Sequence, residues 1–228
     1  MTAVIAHRGA AQDHRENTCD AFAAAVALGA DWVELDVRRS ADDVLVVCHD
    51  AHLPDGRVIV DVPYEELPAW VPTLAEALDA CQGAKVNIEI KNDPDAPDYD
   101  ADHQISDAVV GLAIAYRDHA DLLVSSFNIE TVRRIRAVDA AMPVGLVTYE
   151  LLSPDMVIER AVGAGLTSLH PWEPTVDRRL VERMHDAGLV CNTWTVNSPD
   201  SMRELVALGV DGIITDDVTA ARKVVDGG

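Results

Sequence analysis

Two short runs carry ionisable side chains at alternate positions. In Val33-Glu34-Leu35-Asp36-Val37 and Asn87-Ile88-Glu89-Ile90-Lys91 the residues between them are apolar, the pattern of a β-strand whose side chains alternate between two faces. Glu34 and Asp36 therefore share one face, as do Glu89 and Lys91, while Leu35, Ile88 and Ile90 point the other way. Three carboxylates on two neighbouring strands repel one another in a poorly solvated mouth. A hard divalent cation with oxygen ligands, Mg²⁺ or Ca²⁺, is the usual remedy, which makes Glu34, Asp36 and Glu89 candidate metal ligands. Spacing alone leaves a plainer alternative open, in which each carboxylate is solvated or paired, Glu89 with Lys91 for instance.

Two further apolar runs end in His7-Arg8-Gly9 and His49-Asp50. A lone histidine at a strand end is more often structural, and His49-Asp50 also reads as an ordinary hairpin pair. Two histidines on adjacent elements change the weighing. A phosphoryl centre needs one group to take a proton from the attacking oxygen and another to give one to the leaving oxygen, and imidazole titrates in the useful range. His7 and His49 fit those roles. Arg8 and Lys91 would offer a phosphodiester a fork donor and a point charge, and a salt bridge from Arg8 to Glu16 is compatible with that. Phe127 and Trp194 stand at later strand ends in a chain with 4% aromatic residues. They read equally as packing or as an apolar wall for a substrate. Of the other histidines only His170, before Pro171-Trp172, is retained, as a rim contact.

The elements that must position these residues alternate along the whole chain. Strand candidates run over 4–7, 32–37, 44–49, 86–91, 122–126, 144–149, 167–170, 190–196 and 212–215, separated mostly by helix-length amphipathic segments. Only six residues, 38–43, separate the second and third, too few for a parallel crossover. They are expected to form an antiparallel hairpin, which leaves eight strands and an α/β fold of the (β/α)8 (TIM) barrel type. Residues 1–228 then form a single domain, with 51–72 as a small insertion or lid, because that stretch carries Pro54, Asp55-Gly56, Pro63 and Pro68 and is long for a connection. Ser153-Pro154 and Ser198-Pro199 are read as capped helix starts, with Asn17-Thr18 and Thr73 as further caps. Helix ends are placed near Gly29, Gly165, Gly188 and Gly209. In a parallel barrel the strand C-termini form the active face, where the polar residues above are concentrated.

Composition sets the outer limits. The 228 residues are 49% hydrophobic and 25% charged, enough for one large core and incompatible with intrinsic disorder. Eighteen Lys and Arg against 39 Asp and Glu give a net charge of −21. The mean field repels nucleic acid and acidic bilayers, so a bound phosphate must meet locally placed cations. No apolar run approaches a membrane span, and Met1 leads into Ala3-Val4-Ile5-Ala6 without a basic leader, so a cytoplasmic or already processed protein without stable membrane insertion is expected. Cys19, Cys48, Cys81 and Cys191 form no C-x-x-C pair and read as buried thiols.

Taken in order, the motifs resemble those of the glycerophosphodiester phosphodiesterase family over essentially the whole chain. The likeness rests on His7-Arg8-Gly9 with Glu16-Asn17-Thr18, Glu34-Leu35-Asp36, His49-Asp50, Glu89-Ile90-Lys91, Ser126-Phe127, Trp194-Thr195-Val196-Asn197 and the closing run Gly209 to Asp216. The resemblance implies a barrel that hydrolyses small-molecule glycerophosphodiesters to glycerol 3-phosphate and an alcohol, with a divalent metal, commonly Mg²⁺ or Ca²⁺, and Mn²⁺ as a further option. It implies His7 and His49 as the acid/base pair and Glu34, Asp36 and Glu89 as metal ligands. It places Arg8 and Lys91 near the phosphate and Glu16 at the site, orienting Arg8. Two departures concern the substrate-facing loops. Arg15 stands where a proline often precedes Glu-Asn-Thr, and Ala51 to Arg57 replaces the usual stretch after His-Asp. Lysophospholipids or phosphoinositol headgroups are the alternative substrates. A metal-dependent sugar isomerase or aldolase, and a barrel that binds phosphodiesters without turnover, are the alternatives outside this chemistry.

Overall fold

The computed structural model describes residues 1–149 and 153–227. Nine strands are joined in one sheet: β1 (Ala3–Ala6), β2 (Trp32–Arg39), β3 (Leu45–Val47), β4 (Lys85–Ile90), β5 (Leu122–Ser126), β6 (Val144–Thr148), β7 (Ser168–Pro171), β8 (Val190–Thr193) and β9 (Gly212–Thr215). All neighbouring pairs are parallel except β2 with β3. Pairing of β1 with both β9 and β2 closes eight parallel strands into a barrel, with β3 lying outside it against the end of β2. The expected hairpin is thus present, with Val37 opposite Val47 and Arg39 opposite Leu45.

Among the described residues eight α-helices surround the barrel: α1 (Cys19–Ala27), α2 (Leu74–Ala80), α3 (Gln104–Tyr116), α4 (Ile129–Val138), α5 (Pro154–Gly163), α6 (Arg178–Asp186), α7 (Pro199–Leu208) and α8 (Val218–Val225). Their apolar faces meet the outward-facing side chains of the strands in one core that includes Phe22, Leu35, Ile88, Val109, Ile135 and Met184. Thr18 caps α1, and Thr73 forms a reciprocal capping box with Glu76 at the start of α2. Ser153 and Ser198 occupy the expected N-cap positions, but their hydroxyls make no capping hydrogen bond. There the proline, with its fixed φ, carries the start signal. Asn128, Asp177 and Asp217 are side-chain caps that the sequence reading missed.

Residues 51–72 contain two short 3-10 turns, Ile59–Asp61 and Tyr64–Glu66. Leu53, Ile59, Val62, Leu67 and Val71 are buried with Val46 and Cys48 in a second, smaller apolar cluster. No helix among the described residues is long and apolar enough to cross a membrane.

Candidate active site

Strand register brings the carboxylates together. Asp36 on β2 is level with Glu89 on β4, and Glu34 with Asn87, so alternate residues of the two strands project into the barrel mouth. Glu34, Asp36 and Glu89 are 2%, 1% and 8% exposed. One oxygen from each lies within 4.8 Å of the others. Buried negative charge at this density affects protonation directly. Burial, reinforced by the charge of Asp36, pushes the Glu34 carboxyl up to about 8. For Asp36 burial acts in the same sense, yet Lys91, Arg8 and His49 outweigh it and hold the carboxyl well below the usual range.

The cations hold this cluster from two sides. Lys91 Nζ reaches Asp36 Oδ1 at 3.0 Å and also pairs with Glu89, so the pairing foreseen for Glu89 coexists with the carboxylate cluster. Burial alone would make Lys91 easier to deprotonate, but Asp36 and Glu89 overcome this and raise its pKa. Arg8 adopts φ 56° at the tight turn after β1, where its backbone N–H donates to Glu34 Oε2 at 2.9 Å. Its guanidinium lies 3.2 Å from Asp36 and donates to both Glu16 oxygens, at 3.1 and 3.0 Å. The salt bridge anticipated between Arg8 and Glu16 is therefore formed. The next residue, Gly9, has φ 87°, and a Cβ there would lie 2.7 Å from the backbone of Ala21. The turn that presents His7 and Arg8 requires glycine for both reasons.

His7 and His49 line the same small pocket as the three carboxylates, with Arg8, Lys91, Phe127 and Trp194 completing the wall. Of the ten residues singled out by sequence, only Glu16 stands back from it, joined through Arg8. His7 Nδ1 donates to Asp216 Oδ1 at 2.7 Å, and His49 Nδ1 to Asp50 Oδ1 at 2.7 Å. In each ring this bond leaves Nε2 available. The rings differ in their surroundings. Burial would lower the His7 pKa, but the Asp216 hydrogen bond and the Glu34 charge reverse the effect and raise it. At His49 burial prevails and lowers it.

Several residues missed by the sequence reading support this arrangement. Asp216 follows β9 and is itself held by Asn197, whose amide donates to Oδ2 at 2.6 Å. Its position at a strand C-terminus was the available signal. Asn17, read as a helix cap, has φ 56°. It faces inward instead, donating to Asp36 Oδ2 at 2.8 Å and accepting the Asp36 N–H at 3.2 Å. Buried Arg38 donates from Nε and Nη2 to the His49 carbonyl at 2.9 and 2.6 Å and pairs with Asp98. Tyr149 stacks on Phe127 with ring centroids 4.8 Å apart, and Trp194 meets both rings edge-on at 5.4 and 5.0 Å. His170, expected at the rim, lines the same pocket from inside the barrel: it is 1% exposed, bonded to Ser168, and burial lowers its pKa to about 4.

Comparison with known proteins gives a consistent result. The model of the glycerophosphoryl diester phosphodiesterase family matches residues 7–220. A glycerophosphodiester phosphodiesterase of Caldanaerobacter subterraneus subsp. tengcongensis is 33% identical, over 95% of this chain and 94% of the relative. Among solved structures, an Oleispira antarctica phosphodiesterase in complex with the product sn-glycerol-3-phosphate superposes with a TM-score of 0.90 at 26% identity, covering 100% of this chain and 98% of the other. The glycerophosphodiester phosphodiesterase of Thermotoga maritima gives 0.85 at 28% identity, with 98% of each chain covered. On barrel topology, motif order and full-length similarity together, this chain belongs to the glycerophosphodiester phosphodiesterase family, enzymes that hydrolyse phosphoric diesters.

Proposed function

We propose that the chain hydrolyses glycerophosphodiesters to glycerol 3-phosphate and an alcohol in a metal-dependent reaction, with His7 and His49 as the acid/base pair. The observation that carries this reading is the convergence of two imidazoles, three buried carboxylates and two cations on one pocket. The donor set fits a hard divalent cation. Glu34, Asp36 and Glu89 supply closely spaced oxygens, and the Glu34 carboxyl, which burial and the Asp36 charge push up to about 8, would be held as a carboxylate by a bound ion. These three residues would hold the ion, Mg²⁺, Ca²⁺ or Mn²⁺. Once bound it supplies Lewis acidity that offsets charge developing on the phosphodiester oxygens.

Arg8 and Lys91 orient the phosphodiester and balance part of its charge. One imidazole takes a proton from the attacking oxygen as its bond to phosphorus forms. The other gives a proton to the alcohol oxygen as its bond to phosphorus breaks. Asp216 and Asp50 engage Nδ1 of the two rings, which leaves Nε2 of each to exchange the proton. Phe127 and Trp194 form the apolar wall. The 51–72 insertion serves as a fixed flank of the mouth, anchored by its own apolar cluster and by Arg15, whose guanidinium lies 3.5 Å above the Trp70 ring.

The test is substitution of each histidine. His7→Ala and His49→Ala are expected to lower kcat by about 100-fold or more, with unchanged far-ultraviolet circular dichroism. Turnover near that of the parent in either variant would remove that histidine from the mechanism.

A further inference from the structure

The two imidazoles of the reaction pocket are placed by different means. His7 directly follows β1, and its backbone N–H donates to the Thr215 carbonyl at 2.9 Å. The parallel ladder that closes the barrel therefore fixes its main chain. His49 stands outside that ladder. It follows β3, a three-residue strand on the edge of the sheet, and the last ladder contact before it runs from the Cys48 N–H to the Asp36 carbonyl at 3.0 Å. Its ring partner, Asp50, is the next residue and is exposed, so it travels with the ring and anchors nothing.

The anchor is a side chain from β2. Arg38 donates from Nε and Nη2 to the His49 carbonyl at 2.9 and 2.6 Å, and among the described residues no other group hydrogen-bonds the His49 main chain. Two donors converging on one oxygen fix the direction of that carbonyl as well as its position. The third nitrogen, Nη1, pairs with Asp98, on the connection from β4 to α3. That connection is itself tied down. The Asn92 side chain accepts the Asp100 N–H at 2.8 Å and donates to the Asp100 carbonyl at 3.0 Å, and Asn128, the cap of α4, donates to the Asn92 carbonyl at 2.8 Å. His49 is thus braced by the connections that follow β4 and β5, by way of two buried side chains.

Stability is a poor account of this pair. A buried ion pair gives up the hydration of both charges, and Asp98 Oδ1 is buried with no hydrogen-bond donor among the described residues. Geometry for the reaction is the better account. A proton is passed at Nε2 over hydrogen-bond distance, and a displacement of about 1 Å at a reacting group can cost on the order of 100-fold in rate.

We propose that Arg38 is a positioning residue for proton transfer: it holds the His49 main chain so that the ring stands at the reacting centre, and Asp98 fixes its guanidinium. The inference rests on the reading that His49 exchanges a proton in diester hydrolysis.

The experiment separates placement from folding through Arg38→Met/Asp98→Leu, in which apolar volume replaces both charges. With glycerophosphocholine as substrate and the activating ion at saturation, kcat should fall by about tenfold or more while KM stays within about twofold of the parent, in protein whose urea midpoint lies close to the parent's. Arg38→Lys keeps a charge opposite Asp98 but offers the carbonyl no fork. It should lose kcat in the same sense, and it carries the test if the double variant does not fold. Arg134→Met/Asp107→Leu makes the same replacement at an exposed pair between α3 and α4 and should keep the parent kcat. Parent kcat in a folded Arg38 variant, a change confined to KM as from direct substrate contact, or an equal loss at the remote pair would overturn the inference and leave the hydrolase reading intact. Full turnover in His49→Ala would remove that reading and the inference with it.

Discussion

The proton on His7 is governed by Asp216, which faces Nδ1 at 2.7 Å from 209 residues further along the chain. Asp216→Asn replaces a charged acceptor with a neutral amide and so weakens what raises the His7 pKa against burial, and the pKa should fall. An NMR titration of the His7 ring without metal should show its midpoint displaced to lower pH. kcat should drop by about tenfold or more because the tautomer is no longer fixed, and an unmoved titration would show that Asp216 does not control the ring. The difference between what the sequence displayed and what it hid is physical. His7, His49 and the three carboxylates were legible because their types and period-two spacing are local properties. Asp216, Asn17 and Arg38 act through partners brought close only by barrel closure, and no local pattern marks which aspartate will meet a histidine.

Elements were legible where punctuation is local. β5 and β9 occupy the residues expected, and Gly29, Gly165, Gly188 and Gly209 take positive φ at helix ends as foreseen. The hairpin followed from a connection too short to cross over. The contacts that lock the hairpin to the site were not legible. Arg38 at the end of β2 links the His49 backbone to Asp98 in the connection from β4 to α3, with side chains 8% and 5% exposed. Arg38→Met would leave Asp98 buried without a partner and should cost about 3 kcal/mol of unfolding free energy in urea titrations. Arg38→Met/Asp98→Leu should recover much of that loss, because a buried pair is replaced by apolar volume rather than broken. A single variant within about 0.5 kcal/mol of the parent would show that the pair bears no such strain on removal.

At the scale of the whole molecule, a protein with net charge −21 concentrates Arg8, Lys91 and buried carboxylates at one end of a barrel. The mean field disfavours anionic ligands, and in the proposed reaction only local cations and a divalent ion held by the carboxylates would give a phosphodiester reason to remain there. Composition made the first half of that statement legible; the clustering required the closed sheet. Metal dependence at the Glu34, Asp36 and Glu89 cluster is therefore the central expectation. The most direct measurement is glycerol 3-phosphate release from glycerophosphocholine and glycerophosphoethanolamine, first after chelation and then after separate addition of Mg²⁺, Ca²⁺ and Mn²⁺, for the parent and for Glu34→Ala. Release should vanish on chelation and return with at least one ion, and Glu34→Ala should require a higher concentration of it. Full activity in the chelated protein, or folded protein that releases no product with any of the three ions, would contradict the account.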